Sequence, residues 1–123
     1  MSFCTAITCM DGRVQLPVNN YLKKRFQTAY VDTITEPGPE QFLAEADANA
    51  HKTSILDRLA ISVDNHQSRG VALICHHDCA GNPISKEEKI AQVRKAIAFL
   101  DSKIEQEVIG LWVDSNWDVH ELD

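Results

Sequence analysis

Apolar and polar residues alternate in blocks along the 123-residue chain, and the blocks carry two different periods. Phe3-Cys4-Thr5-Ala6-Ile7-Thr8 is a short apolar and β-branched run that predicts a first strand, stopped by the turn pair Asp11-Gly12. From Leu16-Pro17, where proline suits a first helical turn, Val18, Tyr21, Leu22 and Phe26 recur at helical spacing and predict a helix. Thr28 to Thr35 predicts a second strand, cut off by Pro37-Gly38-Pro39. The alanine-rich stretch Gln41 to Ala50 predicts a short helix or a covered insertion. Beyond it, with Thr53 or Ser54 as N-cap, Leu56, Leu59, Ala60 and Val63 predict a helix ending near the polar stretch Asn65 to Gly70.

Gly70 to Cys75 is apolar throughout, the pattern of a strand buried on both faces at the centre of a parallel sheet. Ser85-Lys86-Glu87-Glu88 has the spacing of a capping box, and Ile90, Val93, Ile97, Leu100 and Ile104 follow in steps of three and four. Val108 to Val113 predicts a fourth strand, Asp114-Ser115-Asn116 a turn, and Trp117 to Leu122 a return strand. Strands alternating with helices imply parallel pairing with right-handed crossovers. The predicted fold is therefore an α/β domain spanning residues 1–123, with strand order 2-1-3-4, an antiparallel edge strand 5 and helices on both faces. Its main competitor is a flavodoxin-like binding module. Ligands in such sheets bind at the carboxyl edge of the strands, which here carries the loops Cys9 to Arg13 and His76 to Gly81.

Composition narrows the function. Twelve Lys plus Arg against 18 Asp plus Glu leave a net charge of -6, the wrong sign for binding phosphate backbones, so nucleic acid is not expected as a partner. No apolar run approaches the roughly 20 residues of a membrane span, and Met1 to Cys4 has no basic stretch of the kind that opens a signal peptide. Four cysteines in such a chain read as thiols of a reducing cytosol, and a cytoplasmic location is expected.

Their placement adds chemistry. His76 and Cys79 lie three positions apart on one predicted loop, and Cys9 lies on the adjoining one. Two sulfurs and an imidazole are a ligand set that Zn²⁺ accepts, and a fourth position without a protein ligand favours catalysis over a structural role. Cys4 and Cys75 fall inside strands and read as buried core thiols. Asp11 and Arg13 follow Cys9 directly; beside a metal, a carboxylate accepts a proton from water or binds the metal, and a guanidinium gripping it decides which. A cysteine-phosphatase loop needs five residues between Cys and Arg, and Cys9 to Arg13 has three. No Gly-rich nucleotide fingerprint is present. His77 is expected to face solvent or a carboxylate behind the ligands, while His51, His66 and His120 read as ordinary solvated side chains.

Cys9-Met10-Asp11-Gly12-Arg13 followed by His76-His77-Asp78-Cys79 resembles the β-class carbonic anhydrases, whose signature is Cys-x-Asp-x-Arg and then His-x-x-Cys. The resemblance implies zinc on Cys9, His76 and Cys79, with the Asp11 and Arg13 dyad beside it as the catalytic pair. In that family the aspartate either pairs with the arginine or swings onto the metal, so Asp11 also counts as a candidate ligand. The implied activity is zinc-dependent hydration of CO₂ to bicarbonate by a homodimer or higher homo-oligomer. Carbonyl sulfide and carbon disulfide hydrolases share these ligands, and a zinc-binding, redox-responsive interaction protein without hydratase activity is a further reading. The chain departs from the family pattern in three places. It begins only eight residues before Cys9, so the N-terminal helices that embrace a partner subunit are not expected. Ile34-Thr35-Glu36-Pro37-Gly38 stands where many members have an Arg-Asn-Ala-Gly-like segment. Ala80 precedes Gly81 where glycine usually follows the last ligand at once.

Overall fold

The computed structural model describes residues 2–123 and contains a five-stranded sheet of order β2-β1-β3-β4-β5. Its strands are β1 (Phe3–Thr8), β2 (Tyr30–Thr35), β3 (Gly70–His76), β4 (Glu107–Val113) and β5 (Val119–Glu121). The first four pair in parallel and β4 pairs with β5 antiparallel, so the α/β class and strand order read from the sequence hold.

Side-chain alternation sorts the core into two layers. Ile7, Val71, Leu73 and Cys75 face one side, where Leu43 of α2 (Pro39–Ala44), Ile55 and Leu59 of α3 (Ala50–Ala60), and Val93, Ala96 and Leu100 of α4 (Lys86–Asp101) cover them. Cys4, Ala6, Ala72 and Ile74 face the other side, packed by Val14, Val18, Leu22 and the following Phe26 from α1 (Gly12–Arg25). Every residue of β3 is buried, as its unbroken apolar run requires. Cys4 and Cys75 are fully buried free thiols, as expected.

Several element boundaries differ from the sequence reading for local reasons. First, α1 starts at Gly12 rather than Leu16, because Asp11 is not a turn residue but the N-cap, its carboxylate accepting the Arg13 N–H at 2.9 Å. Pro17 therefore sits inside the helix and withholds the N–H that Arg13 C=O would otherwise accept. Second, the Gln41 to Ala50 stretch is divided. The helix α2 ends at Ala44, and Asn49 rather than Thr53 or Ser54 caps α3, taking the Lys52 N–H at 2.7 Å and donating to Phe42 C=O at 3.1 Å.

Third, α3 widens into a π-helical turn at Ile61–Asn65, which brings Ser62 and His66 together on the Asp32 carboxylate at 2.7 and 2.6 Å. Fourth, Trp117 belongs to the turn before β5 and not to the strand. The Asp114 carboxylate accepts the N–H groups of Asn116 and Asp118, and Trp117 takes a positive φ of 63°. The strand β3 also runs one residue past the predicted end, making His76 its last member.

Candidate metal centre

The parallel pairing sends the loops after β1, β2 and β3 to one edge, and that edge gathers the predicted ligands. Cys9 follows β1 directly. His76 ends β3, and Asp78, at φ 57°, reverses the chain so that Cys79 returns beside it. Asparagine and aspartate tolerate this left-handed conformation better than most residues. All three side chains are buried, and their potential donor atoms lie within 4.8 Å of one another, the sulfurs of Cys9 and Cys79 at 3.9 Å. Two sulfurs each about 2.3 Å from a zinc at the tetrahedral angle would stand about 3.8 Å apart.

His76 supplies the decisive detail. Its Nδ1 lies 2.7 Å from His77 C=O, and since a carbonyl only accepts, the proton sits on Nδ1. The other ring nitrogen, Nε2, therefore carries a bare lone pair, and it is buried with no hydrogen-bond partner among the described residues. A buried orphan acceptor facing two sulfurs is costly without an ion and natural with one. The two thiols also shift each other's acidity in opposite directions. The hydrogen bond from Cys79, against burial and helped by backbone N–H groups, pulls Cys9 down to about 4. The same bond pushes Cys79 up. The donor set thus fits Zn²⁺ in chemistry, spacing and burial.

Asp11 stands beside this cluster with its carboxylate turned to Arg13. Arg13 Nε and Nη2 grip Oδ1 and Oδ2 at 3.0 and 2.7 Å, a bidentate pair that holds the Asp11 carboxyl down at about 2. Gln15 Nε2 donates to the carbonyls of Cys9 and Asp11 at 2.8 and 2.9 Å, fixing the loop between ligand and dyad. Arg13 is held from behind as well: Nη1 donates to Asp78 Oδ2 at 3.3 Å, Nη2 to Asp78 C=O at 3.1 Å, and its face lies 4.4 Å from the Trp117 ring centroid.

Sequence reasoning missed several residues that build the site. Lys89, buried on α4, donates from Nζ to His76 C=O at 2.9 Å and anchors the end of β3. Glu40 is buried on α2; Asn82 donates to its Oε2 at 3.0 Å, and burial pushes its carboxyl up. The signal for either is a charged residue on the apolar side of a helix. A hollow of about 450 Å³ opens beside Cys79, lined by Pro83, Ile84, Lys86, Lys89 and Trp112 among others. His77 is exposed, as expected, and serves through its backbone: its C=O takes the His76 proton and its N–H donates to Val113 C=O at 2.9 Å. His51, His66 and His120 are exposed too, but each lies against a carboxylate, those of Glu36, Asp32 and Asp114.

The segment that departs from the family pattern forms a wall of the site. Gly38 adopts φ 62°, and a Cβ there would meet Asn82 Cβ at 2.6 Å. Gly81 packs on Pro37, where a Cβ would meet Pro37 Cβ at 2.6 Å and its carbonyl carbon at 2.9 Å. The loop after β2 and the loop after Cys79 thus interlock through two glycines. Gly81→Ala should cost about 1–3 kcal/mol of stability, the usual toll of overpacking, and urea unfolding will measure it; a midpoint equal to the parent's would mean that the loops part without cost.

A family model described as "Putative carbonic anhydrase" matches residues 1–123, and the chain belongs to that family. No curated protein matches it in sequence. Among solved structures, the β-carbonic anhydrase CafA of Aspergillus fumigatus is similar at 16% identity and a TM-score of 0.56, covering 98% of this chain and 74% of that one. One of two tetrameric β-carbonic anhydrases of Sordaria macrospora is similar at 11% identity and TM-score 0.59, with coverage of 97% and 79%. A cysteine-to-alanine mutant of the β-carbonic anhydrase CafD from Aspergillus fumigatus gives 11% and 0.53, with 100% and 90%. At these identities the likeness establishes the β-carbonic-anhydrase fold.

Proposed function

We propose that this chain is a zinc enzyme that hydrates CO₂ to bicarbonate, with residues 1–123 acting as one domain. The observation that carries the reading is the bare, buried Nε2 of His76 facing the Cys9 and Cys79 sulfurs. Cys9, His76 and Cys79 would hold the ion, which supplies a Lewis acid able to make water acidic near neutral pH. The remaining work falls to the chain. His77 C=O fixes the imidazole tautomer, and Lys89 fixes the strand that carries it. Arg13 holds Asp11 by both carboxylate oxygens, leaving Oδ2 with spare acceptor capacity to orient the attacking water. The apolar lining of Ile84, Pro83 and Trp112 beside Cys79 suits a small linear uncharged substrate, and Lys86 and Lys89 suit an anionic product.

Oligomer and location belong to the same proposal. Met10 and Leu16, 64% and 70% exposed beside the site, favour a homodimer or larger homo-oligomer. Among the described residues no helix is long and apolar enough to cross a membrane, and four free thiols favour a cytoplasmic setting.

Metal analysis joined to stopped-flow CO₂ hydration tests the reading. About one zinc per chain and a rate above the buffer background are expected; full occupancy with a background rate would reject hydration. Carbonyl sulfide and carbon disulfide in the same assay decide between substrates. A second reading, a redox-responsive zinc protein without hydratase activity, draws on the 3.9 Å gap between the sulfurs. It requires that thiol counts fall by two when zinc-stripped protein meets oxygen, and that zinc-loaded protein keep all its thiols.

A further inference from the structure

An exposed arginine–carboxylate pair is ordinarily mobile and weak, and the Arg13 side chain is 45% exposed. Its surroundings are not ordinary. The guanidinium edge is filled by the Asp11 carboxylate and by both Oδ2 and C=O of Asp78, and its face lies on the indole of Trp117 at 4.4 Å. Both backing residues have positive φ, 57° for Asp78 and 63° for Trp117. For a bulky residue such as tryptophan that conformation is costly and persists only where neighbours impose it.

The neighbours do so here. Trp117 N–H donates to Asp114 C=O at 2.9 Å, and the Asp114 carboxylate takes two further N–H groups of the turn and faces His120 Nε2 at 2.6 Å. Beyond the turn, Glu121 of β5 is tied to α1 through Arg25 Nε at 2.8 Å and Tyr21 Oη at 3.0 Å. The hairpin is therefore fastened at both ends, and what it presents between them is the Trp117 ring against Arg13.

We propose that Trp117, acting with Asp78, is a positioning residue: its ring pins Arg13 on Asp11, and the C-terminal hairpin thereby keeps the fourth metal position open to an outside ligand. The inference rests on the metal-site reading and is independent of CO₂ turnover. It assigns a role to a segment that carries neither ligand nor dyad.

Two measurements test it. In metal-free protein, NMR of the arginine Nε–H groups should show Arg13 displaced by the indole ring current and exchanging with water at least about tenfold more slowly than the exposed Arg94. Trp117→Leu, which keeps apolar bulk but no π-face, should remove most of that protection, and Trp117→Phe should keep it. In cobalt-substituted protein, azide titrated by visible absorption should bind about tenfold more weakly to Trp117→Leu than to the parent, with Trp117→Phe near parental. Adding Asp11→Ala to Trp117→Leu should restore azide binding, because the carboxylate that competes for the metal is gone. Arg13 exchange as fast as Arg94 in the parent, equal azide affinity in Leu and Phe variants, or no recovery in the double variant would each overturn the proposal. Failure to bind cobalt at all would reject the metal site and the gating with it, while the exchange data would still show whether Trp117 holds Arg13.

Discussion

Arg13→Ala is expected to retain zinc and lose CO₂ hydration by about 10- to 100-fold, the usual cost of removing a residue that orients a metal site without binding the metal. Arg13 occupies both oxygens of Asp11. Once it is gone, Asp11 is a hard anionic ligand beside a dication, and it takes the position that water needs. Asp11→Ala should differ, keeping zinc and an open site while losing the acceptor that orients water, so its activity falls without loss of azide binding. Zinc content by emission spectrometry and stopped-flow rates on the same samples check both. Loss of zinc from Arg13→Ala as complete as from Cys79→Ser would make the dyad a structural element and defeat the mechanism.

Cys79→Ser, Cys9→Ser and His76→Ala should each lower zinc affinity at least about a hundredfold, more than any change behind the ligands. Each removes one of the three buried donors of the cluster. Thermal unfolding gives an independent readout. Zinc at about a thousand times its dissociation constant stabilises the parent by about 4 kcal/mol, so the melting temperature should climb with zinc. The three variants should show little of that climb at the same concentration. A full climb in Cys79→Ser would remove Cys79 from the metal.

The parts of this architecture legible in the sequence are those written in local pattern. The unbroken apolar run of β3 gave away the central strand, and Ser85 with Glu88 forms the predicted capping box, each side chain reaching the other's backbone. Cys9, His76 and Cys79 could be brought together because parallel strands send their loops to one edge. What stayed hidden depends on tertiary position. Asp11 looks like a turn residue until Arg13 and the start of α1 are placed around it. Trp117 has the composition of a strand residue, and only the Asp114 carboxylate and the Arg13 face explain its turn conformation. Glu40 and Lys89 are charged residues whose burial follows from α2 and α4 closing over the loops of the site.

The same Asp11 carboxylate that Arg13 grips is also the N-cap of α1, accepting the Arg13 backbone N–H. Swinging onto a metal would uncap the helix, and a lost cap costs about 1 kcal/mol. At thermal energies that amounts to about a fivefold population bias toward the open arrangement, set by the start of a helix before any substrate arrives. A substitution that frayed the first turn of α1 would weaken this bias, and a new cap that relieved Asp11 of the duty would abolish it. Closure of the site and fraying of α1 are thus two readings of one equilibrium.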